Sequence, residues 1–111
     1  MSQKPETVFK NRLVPKLSKL PGTYLVKVQQ VAKIGTPDIL MCISGVFVAI
    51  ELKSSKKGIV SALQDYNLNQ IYDAGGITIL AYPENEVKVL SFLTNLAHSA
   101  AKDSTKKERI Q

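Results

Sequence analysis

Apolar residues recur at helical spacing near the start of the chain. Phe9, Leu13, Leu17 and Leu20 fall on one stripe, which predicts an amphipathic helix over residues 6–20. Arg12, Lys16 and Lys19 form a second stripe about 100° further round. Pro15 opposes a continuous helix, because an interior proline costs roughly 3 kcal/mol. The segment therefore either kinks or splits into 6–13 and 15–20, and Pro21-Gly22 ends it. The pattern then changes period. Residues 23–28 read as a strand, and 29–37 as a loop closing on Gly35-Thr36-Pro37. Residues 38–43 and 46–53 are β-branched and apolar runs around Ser44-Gly45, the pattern of a hairpin. Lys56-Lys57-Gly58 is a polar break. A helix follows over 62–74, stopped by Gly75-Gly76, then a strand over 77–82. Pro83 introduces a last helix, 84–98, with Val89, Phe92, Leu93 and Leu96 on one side. The order is helix, three strands, helix, strand, helix. Residues 1–101 read as a single domain, and 102–111 as a polar tail.

Composition narrows the function. The chain has 111 residues, enough for one core and short for two domains. One Cys excludes a disulfide framework and a Cys-based zinc site, and one His excludes a His-rich metal site. No apolar run approaches the ~20 residues that span a bilayer. The start, MSQKPETVFK, has no signal-peptide core, so a cytoplasmic protein is expected. Net charge is +6. Residues 1–36 hold seven bases (Lys4, Lys10, Arg12, Lys16, Lys19, Lys27, Lys33) and one acid, Glu6. The remaining bases and acids balance at eight each. A surplus confined to one third of the chain points to a polyanion partner, against the alternative of a solubilising charged face.

The hairpin carries the chemistry. Its only charged residues are Asp38, Glu51 and Lys53. With Ser44-Gly45 as a two-residue turn, Ile43 faces Val46, Met41 faces Val48, and Asp38 falls opposite Glu51. Opposed Cβ atoms lie ~4.5–5.5 Å apart. Lys53 points to the same face as Glu51. A bulged three-residue turn would instead slip this register by one. One hairpin face carries Leu40, Cys42, Phe47 and Ala49, and the other Ile39, Met41, Ile43, Val46, Val48, Ile50 and Leu52. Both are apolar, so both are expected to be covered, with the hairpin central and Cys42 in the core. Opposed like charges destabilise a pair unless something offsets them, and a divalent cation would. Lys53 beside such an ion could orient a water or stabilise charge on phosphorus. The bland alternative is a surface cluster at strand ends.

Pro37-Asp38, twelve residues, then Glu51-Leu52-Lys53 resembles the PD-(D/E)XK nuclease signature. Gly35-Thr36-Pro37-Asp38, Phe47-Val48-Ala49-Ile50-Glu51-Leu52-Lys53, Gly58 and Ser61-Ala62-Leu63-Gln64 together look like the VRR-Nuc branch in its small, stand-alone, phage-like form. Archaeal Holliday junction resolvases have a similar order. The name-giving Val-Arg-Arg is missing, since the chain reads Ala81-Tyr82-Pro83 there. The resemblance implies an α/β restriction-endonuclease-like core, order αβββαβα, with a mixed central sheet flanked by helices. It implies Mg²⁺, or Mn²⁺ in its place, on Asp38 and Glu51 with the Leu52 carbonyl, and assistance from Lys53 to the attacking water. It also makes Glu6 a candidate ligand, although the helix dipole alone favours an acid there. Gln64 matches the glutamine after the ExK strand, with Gln70 a weaker substitute. Ser61-x-x-Gln64 is independently a capping box.

The resemblance further implies an endonuclease acting on branched DNA, four-way (Holliday) junctions above all, in a bacterial or phage-infected cell. Two paired cuts call for a homodimer. Lys10, Arg12, Lys16, Lys19, Lys27 and Lys33 would hold phosphates, with Lys56 and Lys57 as further contacts. His98 is expected at the surface, and Tyr66 and Tyr72 are expected to pack. The rival readings are a non-catalytic nucleic-acid-binding module, a nuclease for flaps or linear duplex, and a sequence-specific restriction-type enzyme.

Overall fold

The computed structural model describes residues 4–29 and 34–99. α1 spans Pro5–Ser18, β1 Thr23–Lys27, β2 Ile39–Ile43, β3 Val46–Leu52, α2 Ala62–Asp73, β4 Ile77–Ala81 and α3 Glu86–Ser99. A 3-10 turn at Pro83–Asn85 leads into α3. The strands form one sheet in the order β1-β2-β3-β4, antiparallel except for the parallel β3–β4 pair. The molecule is thus α/β, with a mixed sheet flanked by helices and the hairpin at its centre. Lys33 and the tail 102–111 lie outside the described residues.

Pro15 stays inside one unsplit helix. Phe9, Leu13 and Leu17 bracket it and are fully buried. Each such side chain contributes about 1.5–3 kcal/mol, which together outweighs the ~3 kcal/mol cost of the proline. The helix ends at Ser18, two residues short of the expected limit, and Leu20 packs against the core from the turn that follows.

Ser44 and Gly45 both have positive φ, 48° and 86°, as a two-residue hairpin turn of the type I′ kind requires. Ser44 is held in that conformation from two sides. Its Oγ donates to the Ala97 carbonyl at 3.0 Å, and its N–H donates to the Gly22 carbonyl at 2.8 Å. The register is the expected one, with Ile43 opposite Val46 and Met41 opposite Val48. Ile39, Met41, Ile43, Val48, Ile50 and Leu52 form one buried hairpin face. α1 covers it with Phe9, Leu13 and Leu17, and α3 with Val89, Leu93 and Ala97.

The opposite face departs from expectation. α2 is the element over it and packs on β3 and β4, leaving β1 and β2 open. Ala49 and Glu51 are buried beneath it, whereas Cys42 is exposed, Phe47 is 44% exposed and Tyr24 73%. Cys42 is therefore not a core residue. Tyr66 and Tyr72, expected to pack, point outward from α2. Phe92 is half exposed because it sits at the margin of the α3 stripe, about 100° from Leu93. His98 is exposed, as expected. Among the described residues, no helix is long and apolar enough to cross a membrane.

Candidate active site

Asp38 arrives on the Gly35-Thr36-Pro37 segment, which runs hard against α2. Gly35 has φ +87°, and a Cβ there would stand 2.9 Å from the carbonyl carbon and oxygen of Leu63 and from Asn67 Nδ2. Only glycine allows both that conformation and that approach. The backbone carbonyl of Asp38 accepts from the Val28 N–H at 2.8 Å, extending the β1–β2 pairing by one step. Its side chain then turns toward the end of β3, where Oδ2 accepts from the Leu52 N–H at 2.8 Å.

Glu51 is 1% exposed. Burial, the neighbouring Asp38 carboxylate and Glu6 push its pKa up to about 8, against the pull of Lys53. Glu6, in the first turn of α1, is also raised, by burial first and then by Asp38. One oxygen from each of Glu6, Asp38 and Glu51 can be chosen so that all three lie within 4.8 Å of one another. Three acids from α1, the loop before β2 and β3 thus converge.

Lys53 and Gln64 complete the cluster. Lys53 follows the last β3 residue, and its N–H donates to the Ala81 carbonyl of β4 at 2.9 Å. Its Nζ donates to Gln64 Oε1 at 2.9 Å and lies 3.8 Å from Glu51 Oε2. Gln64 Nε2 donates to Glu51 Oε2 at 3.0 Å. The same Oε1 accepts from the Ser61 N–H at 3.0 Å, and Ser61 Oγ accepts from the Gln64 N–H at 3.2 Å. Gln64 is therefore at once the N3 residue of a capping box on α2 and a partner of two site residues. Gln70, on the exposed side of α2, takes no such place.

This donor set fits a divalent cation. Oxygens bound to one ion at ~2.0–2.6 Å can lie up to about 4–5 Å apart, which the cluster satisfies. Glu51 Oε1 is buried and has no hydrogen-bond partner among the described residues. A buried carboxylate oxygen without a donor is costly, and either a cation or the proton that the raised pKa favours would relieve it.

A cleft of about 380 Å³ opens onto the cluster, lined by Lys4, Glu6, Lys10, Gln29, Asp38 and Leu52 among others. Lys10, expected to hold phosphate, does face this cleft. Lys4 and Gln29 were not singled out by sequence. Lys4 shows only as part of the N-terminal surplus, and a lone Gln in a loop gives no signal. Lys19, Lys27, Lys56 and Lys57 are exposed around the fold. Arg12 and Lys16 are differently placed. Arg12 donates twice to Glu86 Oε1 at 3.1 and 2.8 Å, and Lys16 donates to Glu86 Oε2 at 2.7 Å. Their stripe docks α1 onto the start of α3, so their charge is partly offset within the protein.

An acid before β2, an acid and a lysine two apart at the end of β3, and a parallel fourth strand beyond a helix give the αβββαβα fold that the resemblance implies. A solved structure described as a VRR-NUC domain shares that fold with a TM-score of 0.68, at 16% sequence identity, covering 80% of this chain and 97% of the other. No protein-family model and no curated protein matches the sequence. At this identity the likeness establishes the fold. What the chain does must be argued from its own residues.

Proposed function

We propose that the protein is a divalent-metal-dependent endonuclease that hydrolyses phosphodiester bonds in branched DNA, four-way junctions foremost. The observation that carries this reading is the convergence of Glu6, Asp38 and Glu51 within 4.8 Å beside the Lys53 ammonium. Glu6, Asp38 and Glu51 would hold Mg²⁺ or Mn²⁺, with the Leu52 carbonyl completing the shell. Such an ion polarises the scissile phosphate and lowers the pKa of bound water.

Asp38 presents its carboxylate already oriented by the Leu52 N–H. Lys53 keeps its ammonium 3.8 Å from Glu51 Oε2, beside the acid cluster, where it can orient the attacking water and offset charge building on phosphorus. Gln64 holds both Lys53 and Glu51 in register with α2. Water adds to phosphorus, the bond to the 3′-oxygen breaks, and the products carry 5′-phosphate and 3′-hydroxyl ends. Lys10 in the cleft would hold backbone phosphates, together with Lys19, Lys27, Lys33, Lys56 and Lys57 and the remaining donors of Arg12 and Lys16. Such contacts carry no sequence information and suit recognition of shape.

Among the described residues a single chain has one such cluster, so paired cuts across a junction call for a homodimer. The reading places the protein in the cytoplasm of a bacterial or phage-infected cell. It is tested by incubating four-way, flap and linear duplex DNA with Mg²⁺ or EDTA, using wild type and Lys53→Ala. Paired, Mg²⁺-dependent cuts confined to the junction support it. Equal cutting of linear duplex removes junction selectivity, and a single-chain mass in solution alongside paired cuts removes the dimer.

A further inference from the structure

Gly58 is a glycine that its backbone does not require. Its φ lies outside the left-handed range, so an L-residue could adopt its conformation. What excludes a side chain is Lys53. A Cβ at position 58 would stand 2.8 Å from Lys53 Cβ and 3.1 Å from both Cγ and Cδ. Real Cβ contacts are not that short, and the nearest atom is the root of the lysine, not its flexible end. No torsion of Lys53 moves its own Cβ. The two backbones would have to part.

Which one yields can be read from the hydrogen bonds. Lys53 is fixed by its N–H to the Ala81 carbonyl of β4 at 2.9 Å. Gly58 is fixed by a bond to the Ser55 carbonyl at 2.9 Å, within the same short turn. Outside itself the turn is tied by the Lys56 N–H to Glu84 Oε2 at 3.4 Å, a long and exposed bond, so it yields more readily than the strand end. The turn leads directly to Ser61, whose N–H and Oγ set the Gln64 amide, and Gln64 Oε1 receives the Lys53 ammonium. Gly58 therefore sets the gap between the end of β3 and the start of α2, the gap across which Lys53 and Gln64 meet.

We infer that Gly58 is a positioning residue: its missing Cβ forms the cradle for the Lys53 stem and keeps the ammonium on Gln64, beside the acid cluster. The catalytic part of this inference rests on the nuclease reading, whereas the cradle does not.

The test is a stability cycle on metal-free full-length protein, with a spectroscopic and a kinetic readout. Gly58→Ala is expected to lower the urea midpoint in the wild-type background. In the Lys53→Gly background, where the opposing Cβ is gone, the same change is expected to leave the midpoint unmoved. If Gly58→Ala alone does not fold, recovery of folding by Lys53→Gly carries the same information. The Gln64 side-chain amide resonances should shift in Gly58→Ala toward those of a free glutamine. In Mg²⁺, single-turnover cleavage by Gly58→Ala should fall about tenfold to a hundredfold, as a misplacement near 1 Å does. DNA affinity measured in Ca²⁺ should hold, and so should cleavage by Ile59→Ala, whose side chain is 86% exposed next door. Equal midpoint losses in both backgrounds would overturn the cradle, as would Gln64 resonances and cleavage unchanged in Gly58→Ala. A wild type that cuts no DNA would refute the nuclease reading, and the stability cycle would still decide the role of Gly58.

Discussion

Gln64 donates its side-chain amide to the buried carboxylate of Glu51 at 3.0 Å. The opposite end of that amide receives the Lys53 ammonium and the Ser61 N–H, so its orientation is fixed by three partners. Gln64→Ala should therefore cost twice. It removes half of the α2 capping box and leaves Glu51 without its amide donor. The expected loss is about 1–3 kcal/mol of unfolding free energy, read by urea denaturation. Cleavage should fall with it. Ser61→Ala, which removes the Oγ acceptor alone, should cost about 1 kcal/mol.

Divalent cation should stabilise the fold. Burial and neighbouring acids raise Glu51 to about 8, so the metal-free folded state holds a proton there that the unfolded chain releases near 4.5. An acid raised on folding makes stability fall as pH climbs from about 4.5 to 8. Thermal unfolding in EDTA should show that decline, and Glu51→Gln should flatten it. Mg²⁺ or Mn²⁺ should offset part of it in wild type. At ten times its dissociation constant, an ion adds about 1.4 kcal/mol. Asp38→Ala should abolish the increment.

The Arg12–Lys16–Glu86 cluster titrates in the other direction. Hydrogen bonds from Arg12 and Lys16 hold the Glu86 carboxyl below its ordinary 4.5. An acid lowered on folding contributes stability that is present above 4.5 and lost as pH falls through the folded value. The two cations are 46% and 48% exposed, so the contribution is about 1 kcal/mol or less. Glu86→Gln should lower the thermal midpoint at neutral pH and low salt. The difference from wild type should shrink in high salt and vanish at acid pH.

Much of this was legible in the chain, for identifiable reasons. Ser44-Gly45 fixes the hairpin register, and with it the meeting of Asp38 and Glu51, because a two-residue turn leaves no freedom in the pairing. The Ser61-x-x-Gln64 spacing marks the start of α2 through capping alone. What escaped depends on packing between distant elements. Periodicity could not show that Glu86 docks α1 on α3, since its partners lie 70 and 74 positions away. Nor could it show which of two apolar hairpin faces goes uncovered. That was decided by α2 lying over β3 and β4.

The open face offers its own check. Cys42 is the chain's single cysteine and is exposed on β2. In the native monomer it should react with an alkylating reagent at the rate of an accessible thiol. Protection until unfolding would place it in a core, or beneath a second copy, and dilution separates those two outcomes.

The central claim is that Lys53 and the three acids form a metal-dependent site for cutting DNA. Single-turnover cleavage of a four-way junction in Mg²⁺ tests it most directly, with wild type, Lys53→Ala and Asp38→Ala compared under identical conditions. Wild type should cut, EDTA should stop it, and each variant should be slower by about a hundredfold or more while still binding the junction. A wild type that binds junctions and cuts none with either metal, or a Lys53→Ala variant that cuts at the wild-type rate, would contradict the account.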